Sequence, residues 1–351
     1  MAGLAIIITM ISRLIDEEQI KQFRRFLEES DKIVITCHIA PDGDALGSSL
    51  GLARVLEGLG KTVKIITPDV PPKHLMFLPG AKEILPFTKY EDFCGRLFKM
   101  ADLVLALDFN ALKRIDRVAP SFASSKARKV MIDHHEFPED FCDLTISYPQ
   151  VSSTSMLVFR VLTRLGLFPL IDKEAGACIL TGMMTDTGNF AYNCQDPDLY
   201  IVESELIKKG VDKAAIYNKV FNEEPVDSML LNAYAVSEKM QLFMNHGAAL
   251  ITLTRDELNR FHYQKGYTEG LVNKPLKIPQ ITYSFYLREE SGFVKVSSRS
   301  KGNFPVNEIC SKYFGGGGHL NAAGGEFQGT MEQAIATFKK LLPEFDRYLE
   351  K

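Results

Sequence analysis

Short apolar runs alternate with helical patterns through the first half of the chain, and this alternation restricts the fold more than any other feature. Four of the runs are continuous in Val, Ile and Leu: KIVIT (32–36), KTVKIIT (61–67), ADLVLALD (101–108) and ARKVMID (127–133). Strands of this composition, separated by helices such as the one predicted over about 43–58, indicate a parallel sheet that helices cover on both faces. The fold class that follows is α/β, with ligands expected at the carboxyl ends of the strands.

The second half has a different order of elements. The pattern is helical from about 195 to 245, and further strands follow it: 248–254, 279–287 and 292–300. A helix over 305–313 then leads into the glycine-rich FGGGGHLNAAGG (314–325). We predict three segments: an α/β domain over 1–205, a helical linker over 206–229 and a smaller mixed α/β domain over 230–351. We expect the active site in the cleft between the two domains.

Composition limits the partners and the compartment. A net charge of −3 over 351 residues argues against a protein that coats long nucleic acid. The six cysteines of the chain form no CxxC pair, which is typical of free thiols in a reducing compartment. The opening MAGLAIIITMI has no basic residues and is too short to span a bilayer, so we expect an extended start and no membrane partner. These features predict a cytoplasmic protein.

Residues that can bind metal ions follow the apolar runs at the points where strands end. They are His38, Asp42 and Asp44 after the first run, Asp108 at the end of the third, Asp133, His134 and His135 after the fourth, and Asp186 in TGMMTDTGNF. Taken singly, such an Asp is more often a helix N-cap, and such a His is more often a hydrogen-bonded surface residue. A parallel sheet brings these loops to one edge, however, where several carboxylates together are strongly destabilising without cations.

Two divalent cations would remove this repulsion. A pair of ions about 3.5–4 Å apart can share one carboxylate and assist in-line displacement at phosphorus. Oxygen ligands with one imidazole for each ion favour Mn²⁺, with Mg²⁺ and Co²⁺ as alternatives, and the absence of thiolate ligands argues against structural zinc. Gly43 and Gly47 are expected to let the loop turn tightly around the ions.

A family resemblance supports the same chemistry. HIAPDGDALGS, ALDFN, DHH and TDTGNF resemble, in order and spacing, the four motifs of the DHH phosphoesterase superfamily. FGGGGHLNAAGG, preceded by VSSRS, resembles the DHH-associated C-terminal domain. Within the superfamily, the chain length and the elements SSTSMLV, EGLVN, SSRS and GGGGH look most like the bacterial nanoRNase/pAp phosphatase branch.

The resemblance implies a role for each candidate ligand. One metal ion would be bound by His38 and Asp42, and Asp108 would bridge it to a second ion. The ligands of the second ion would be Asp44, His134 and Asp186. Two further residues would complete the catalytic set with Asp108: Asp133, which would hold the imidazole of His134, and His135, which would reach the scissile phosphate or the leaving oxygen.

Candidate substrate contacts lie mainly in the second domain. GGGGH (315–319) is expected to be a flexible loop in which Gly316, Gly317 and Gly318 present N–H groups to a phosphate beside His319, although a glycine-rich hinge is the alternative. Arg299, followed by Ser300, ends a strand shortly before this loop and offers a guanidinium suited to phosphate. Arg114 is a further candidate, with a solvated helix-face arginine as its alternative.

These features predict a metal-dependent phosphoesterase. The expected reactions are hydrolysis of very short RNA oligonucleotides to mononucleotides and of a nucleoside 3′,5′-bisphosphate (pAp) to AMP, by a protein that is a candidate homodimer. Three alternatives stay open: a linear or cyclic dinucleotide (pApA-type) phosphodiesterase, an exopolyphosphatase or pyrophosphatase, and an RNA- or nucleotide-binding module with incidental hydrolysis. The complete set of metal ligands argues against the binding module, because a protein that only binds nucleotides needs no such set.

Overall fold

The computed structural model describes residues 14–349, so the extended start predicted for the opening residues lies outside the described part of the chain. Two compact units divide between Glu223 and Glu224, within the segment 206–229 that the sequence assigns to a linker. Each unit contains one six-stranded sheet. No helix between residues 14 and 349 is long and apolar enough to cross a membrane.

The first unit alternates helices and strands. Its helices are α1 (Glu17–Glu28), α2 (Gly43–Gly58), α3 (Phe87–Met100), α4 (Ala119–Ser124), α5 (Thr154–Arg164), α6 (Lys173–Asp186), α7 (Pro197–Lys208) and α8 (Lys213–Tyr217). Its strands are β1 (Lys32–Thr36), β2 (Thr62–Thr67), β3 (Leu85–Pro86), β4 (Leu103–Leu107), β5 (Arg128–Asp133) and β6 (Leu144–Ser147). Short 3₁₀ turns cover Lys73–Leu75, Ala81–Glu83, Leu112–Val118 and Phe168–Leu170, and a π turn covers Asn218–Asn222.

All neighbouring strands of the first sheet are parallel, in the order β3-β2-β1-β4-β5-β6. Every residue of β4 is buried, which explains why its sequence is continuously apolar. Its alternate residues enter two different cores, with Leu105 in the layer that contains α2, α5 and α6 and Val104 in the layer that contains α3 and α4. The predicted parallel sheet with helices on both faces is confirmed.

Helices α2 and α6 pack closely because α2 carries glycines on the contact face. A Cβ atom at Gly43 would lie 2.4 Å from the Thr185 side chain, and one at Gly47 would lie 2.5 Å from the carbonyl oxygen of Cys178. Both glycines lie inside the helix and neither has a positive φ. The expectation that they shape a tight turn is therefore wrong, since their role is to admit a neighbouring helix.

The second unit is a mixed α/β layer. Its helices are α9 (Val226–Tyr234), α10 (Arg255–Arg260), α11 (Val306–Tyr313) and α12 (Met331–Phe345), with 3₁₀ turns at Met244–His246, Leu271–Lys277 and Asp346–Tyr348 and a π turn at Ala235–Lys239. Its strands are β7 (Gln241–Phe243), β8 (Ala248–Leu253), β9 (Tyr283–Glu289), β10 (Val294–Ser300), β11 (Gly316–His319) and β12 (Ala322–Phe327). The sheet order is β11-β12-β10-β9-β8-β7, and every pair is antiparallel except β8 with β9.

The glycine-rich segment forms an edge strand of this sheet. Gly316 pairs with Gly325, and Gly318 pairs with Ala323. A Cβ atom at Gly316 would lie 1.8 Å from the carbonyl oxygen of Gly324, so a side chain cannot be accommodated there. The expectation that GGGGH forms a flexible loop is thus wrong. The glycines instead allow two strands to approach each other closely.

Candidate metal centre

The predicted ligands converge at the carboxyl edge of the first sheet. His38 lies just beyond the end of β1, Asp108 directly follows β4, and Asp133 is the last residue of β5. Asp42 caps the N-terminus of α2, where its Oδ1 accepts two backbone N–H groups at 3.0 Å. Asp186 is the last residue of α6, so this ligand comes from the end of a helix instead of a strand.

A first cluster consists of His38, Asp42 and Asp108, whose ligand atoms all lie within 4.8 Å of one another. His38 Nε2 lies 3.3 Å from Asp108 Oδ2 and 3.7 Å from Asp42 Oδ2. The other ring nitrogen, Nδ1, lies 2.8 Å from the carbonyl oxygen of Ile39. This contact directs Nε2 towards the two carboxylates.

A second cluster consists of Asp44, His134 and Asp186, again within 4.8 Å. His134 Nε2 lies 3.2 Å from Asp186 Oδ2, 3.9 Å from Asp44 Oδ2 and 3.7 Å from Asp108 Oδ1. Oδ2 of Asp108 therefore faces the first cluster while its Oδ1 faces the second. One carboxylate lies between two sets of ligands, as a bridging ligand must.

The backbone of Asp108 holds an uncommon conformation. Its φ is +63°, a region that few residues other than glycine adopt. Its N–H donates to Ile132 O at 3.2 Å, and its side-chain Oδ1 accepts a hydrogen bond from the Thr154 hydroxyl at 2.9 Å. Such conformations persist where surrounding contacts enforce them, and they concentrate at functional sites.

Sequence reasoning missed the N-terminus of α5. The backbone N–H groups of Thr154 and Ser155 donate to the two oxygens of Asp44, at 2.6 and 2.8 Å. Asp44 is fully buried, and these two donors satisfy its carboxylate on the side that faces α5. The run SSTS at 152–155 was a signal for this contact, because it predicts a helix start that presents free N–H groups.

Asp69 is a second residue that sequence reasoning missed. It follows β2, and its Oδ2 accepts a hydrogen bond from the N–H of Ala40 at 2.8 Å. Ala40 lies between His38 and Asp42 and has a φ of +48°. Asp69 therefore supports the turn that brings His38 and Asp42 of the first cluster together.

Asp133 contacts a different histidine from the one expected. Its Oδ1 lies 2.8 Å from His135 Nδ1, and its Oδ2 accepts the His135 N–H at 3.1 Å. The Nδ1 atom of His134 instead lies 3.2 Å from the carbonyl oxygen of Val151. The predicted Asp133–His134 pair is wrong, because the chain turns after β5 so that the second histidine faces the carboxylate.

The electrostatics of the clusters show an excess of negative charge. Burial lowers the pKa of His38, but hydrogen bonds with Asp108 and Asp42 outweigh it and raise the pKa to about 10. Burial also lowers the pKa of His134, but a hydrogen bond with Asp186 and the charges of Asp44 and Asp108 outweigh it and raise the pKa to about 10. Burial, followed by the charges of nearby carboxylates, raises the pKa of Asp44 well above its ordinary value. Divalent cations at these positions would replace protons as the neutralising charge.

The donor set fits a hard or borderline divalent cation. Each cluster offers carboxylate oxygens with one imidazole, and no thiol takes part among residues 14–349. The nearest cysteine in sequence, Cys37, is fully buried in the core. Such oxygen-rich sites with imidazole suit Mn²⁺ and related ions.

The predicted substrate contacts of the second unit lie on one sheet. Arg299 pairs with Ala322, which pairs with His319, so the two side chains lie on the same face, with their backbones about 10 Å apart. His319 is exposed, and Arg299 is half-buried with one guanidinium N–H donating to Ser298 O at 2.9 Å. Burial lowers the pKa of Arg299. The guanidinium of Arg299 and the exposed imidazole of His319 therefore lie on one face of the sheet.

Ser300 does not share this face. Alternate residues of β10 are buried, so Ser300 points to the opposite side from Arg299. Its hydroxyl donates to Phe304 O at 2.7 Å and accepts a hydrogen bond from Asn321 at 2.9 Å. These bonds use the Ser300 hydroxyl both as donor and as acceptor, which argues against a role in substrate binding, and the substrate contact of Ser300 stays a prediction.

Arg114 lies near the first cluster. Its carbonyl oxygen accepts a hydrogen bond from the N–H of Ile39 at 2.7 Å, directly after His38. Its half-buried guanidinium makes no hydrogen bond or ion pair with the part of the chain between residues 14 and 349. The phosphate contact predicted for Arg114 stays a prediction that this lack of a side-chain partner allows.

Comparison with known proteins agrees with this geometry. The DHH family, N-terminal domain model matches residues 32–183, and the DHHA1 domain model matches residues 256–347. A Thermus thermophilus protein named bifunctional oligoribonuclease and PAP phosphatase NrnA is 32% identical over 304 residues, which are 85% of this chain and 84% of that protein. The chain belongs to the DHH family. The predicted resemblance is confirmed, including the DHH-associated second domain.

Two further relatives of this DHH protein have different names. A crystal structure of an exopolyphosphatase-related protein from Bacteroides fragilis is 47% identical, with a TM-score of 0.93, and the match covers 95% of this chain and 98% of that one. The cyclic-di-AMP phosphodiesterase GdpP of Bacillus subtilis is 24% identical over 92% of this chain, which spans 49% of GdpP. Relatives named for oligoribonuclease and phosphatase activity confirm the prediction of a phosphoester hydrolase.

Proposed function

We propose that this DHH protein is a metal-dependent phosphoesterase that hydrolyses very short oligoribonucleotides to mononucleotides and pAp to AMP. The observation that carries the proposal is the position of Asp108, whose two carboxylate oxygens face two separate clusters of imidazole and carboxylate groups. This arrangement supports two cations that share one ligand, which is typical of phosphatases and nucleases. The substrate class follows from the NrnA relative, which is similar over most of both chains.

Two Mn²⁺ ions are the proposed cofactors. His38 and Asp42 would hold one ion and Asp44, His134 and Asp186 the other, with Asp108 between them. When bound, such ions polarise the phosphoryl oxygens and lower the pKa of water. Thr154 and Asp69 keep the ligands in place through their contacts with Asp108 and with the turn at Ala40.

The chain's own groups have distinct tasks. The contact of His135 Nδ1 with Asp133 leaves the Nε2 atom of His135 for the substrate, where it can donate a proton to the leaving oxygen. Arg114 can bind the phosphate, because its guanidinium has no partner among the described residues. Arg299 and His319 are the proposed contacts for the terminal phosphate of the substrate.

A panel of substrates tests the proposal. Metal-free protein is supplied with Mn²⁺ and given pAp, a dinucleotide, pApA, longer RNA, cyclic di-AMP, pyrophosphate and polyphosphate, and the products are separated by chromatography. We expect the dinucleotide and pAp to be the best substrates, with rates that fall as the RNA lengthens. A preference for polyphosphate or cyclic di-AMP, or a rate that rises steadily with RNA length, would contradict the proposal.

Location and assembly remain predictions. If the protein is cytoplasmic, it should separate from the membranes when cells are fractionated. If it is a homodimer, light scattering should give twice the mass of one chain. Either result can be wrong without affecting the proposed reaction, because all the proposed metal ligands come from one chain.

A further inference from the structure

Phe137 combines two uncommon features two residues after His135. Its side chain is 86% exposed, although phenylalanine is usually buried. Its φ is +58°, which is unfavourable for a bulky residue. A backbone of this kind costs free energy and persists where neighbouring contacts enforce it, often at ligand-binding sites.

Neighbouring contacts hold the loop around Phe137 in place. The side-chain amide of Asn110 donates to Glu136 O at 2.6 Å, and the Glu139 N–H donates to Asn110 O at 2.8 Å. Further along the loop, the ring of Phe141 stacks on Phe109 with 5.7 Å between centroids. The loop is thus tied to the segment that follows Asp108 on both sides of the exposed ring.

The position of this ring suggests a ligand. Phe137 lies two positions after His135, so their Cα atoms are at most about 7 Å apart. The Phe137 ring therefore belongs to a residue that closely follows the cluster histidines in the chain, and it takes no part in the hydrophobic cores of the first unit. Every nucleobase has a flat face that stacks on such a ring in any sequence context.

We propose that Phe137 is the stacking platform for a nucleobase of the substrate. This inference rests on the proposed function, since it names the group that recognises the base next to the scissile phosphate. A stacking contact is tolerant of sequence, which suits an enzyme for mixed short oligonucleotides. The rigid loop adds affinity because the ring needs no ordering when the ligand binds.

Three variants separate the ring from the backbone. Phe137→Asn removes the ring but keeps a residue that accepts positive φ, and Phe137→Tyr retains the ring. Phe93→Ala is the matched control, since Phe93 is an exposed phenylalanine of the same unit in helix α3. Thermal melting and bound Mn²⁺ should match the wild type in all three.

The readout compares pAp with its abasic analogue, which has the same phosphates and no base. For Phe137→Asn we expect kcat/KM on pAp to fall about 5- to 150-fold, equivalent to about 1–3 kcal/mol for one stacked base. Phe137→Asn should hydrolyse the abasic analogue as fast as the wild type does. Phe137→Tyr and Phe93→Ala should match the wild type on pAp and on the abasic analogue. Calorimetric binding of AMP should weaken by the same factor in Phe137→Asn.

The outcomes separate this inference from the proposed function. If kcat/KM of Phe137→Asn fell equally on pAp and on the abasic analogue, or fell on neither, the proposed stacking role of Phe137 would be wrong. A selective loss in Tyr192→Ala instead, where Tyr192 is 70% exposed, would also overturn it. Failure of the wild type to hydrolyse pAp and dinucleotides would refute the proposed function, whereas AMP binding would still decide the role of Phe137.

Discussion

Replacing Thr154 with valine removes one hydrogen bond from the carboxylate that both clusters share. The Thr154 side chain is fully buried, and its hydroxyl donates to Asp108 Oδ1 at 2.9 Å. Within residues 14–349, no other hydroxyl or backbone N–H donates to this carboxylate. Valine has a similar shape but no donor, so the substitution isolates the hydrogen bond.

The size of the effect follows from the charge of the acceptor. A hydrogen bond to a charged group contributes about 1.5–3 kcal/mol, and imidazole nitrogens that bind cations cannot replace the lost donor. If Asp108 must be fixed for both ions, this loss corresponds to a fall of about 10- to 150-fold in kcat/KM. The fall should be similar for pAp, a dinucleotide and a generic phosphodiester, because the residue contacts no substrate.

Steady-state kinetics and Mn²⁺ titration by calorimetry provide the assay. Thr154→Ser restores the hydroxyl and should recover most of the activity, whereas Thr154→Val should bind Mn²⁺ more weakly. Wild-type kinetics in Thr154→Val would refute the reasoning. A loss of the same size in Thr154→Ser would show that packing by the methyl group matters and the hydrogen bond does not.

Other substitutions test separate parts of the site. A Cβ atom at Gly182 would lie 1.9 Å from the hydroxyl of Ser155, so Gly182→Ala should weaken Mn²⁺ binding in calorimetry, and unchanged affinity would contradict the packing argument. Asp133→Asn should lower kcat about 10²-fold without loss of bound metal, because it disturbs only His135, and normal kcat would exclude that role. Arg299→Ala should lower kcat/KM on pAp about tenfold or more while sparing bis-p-nitrophenyl phosphate, and equal losses would contradict a nucleotide contact.

The sequence predicted the fold of the first unit and the positions of its ligands for one physical reason. Continuous apolar runs indicate strands buried on both faces, and the ends of parallel strands meet at one edge. The sequence therefore predicts that His38, Asp108 and Asp133 lie close together. The structure confirms this, because His38 contacts Asp108, and Asp133 contacts His135, which belongs to the same group of residues as Asp108.

Contacts between distant segments could not be predicted in this way. Thr154 and Asp44 are 110 residues apart, and in sequence the run before α5 looks like an ordinary helix start. Asp133 precedes two adjacent histidines, and only the direction of the chain after β5 decides which of them it contacts. The local pattern predicts the helix start at α5, but it does not identify Asp44 as the carboxylate bound there or the histidine that Asp133 contacts.

Glycines misled the sequence reading for a related reason. The local sequence predicts a turn at Gly43 and a loop at Gly316, because glycine favours both. Their actual neighbours are Thr185 in another helix and Gly324 in another strand, and close approach of these neighbours explains the missing side chains. A glycine required by a distant backbone cannot be told from a flexible one by its local sequence.

The turnover of pAp by Asp108→Ala at saturating Mn²⁺ tests the central claim most directly. The two carboxylate oxygens of Asp108 face the two clusters, so the loss of this side chain should remove the proposed shared ligand of two ions. It predicts a fall in kcat/KM of roughly 10³-fold or more, with fewer than two Mn²⁺ ions retained by each chain. Turnover within about tenfold of the wild type would contradict the two-metal assignment.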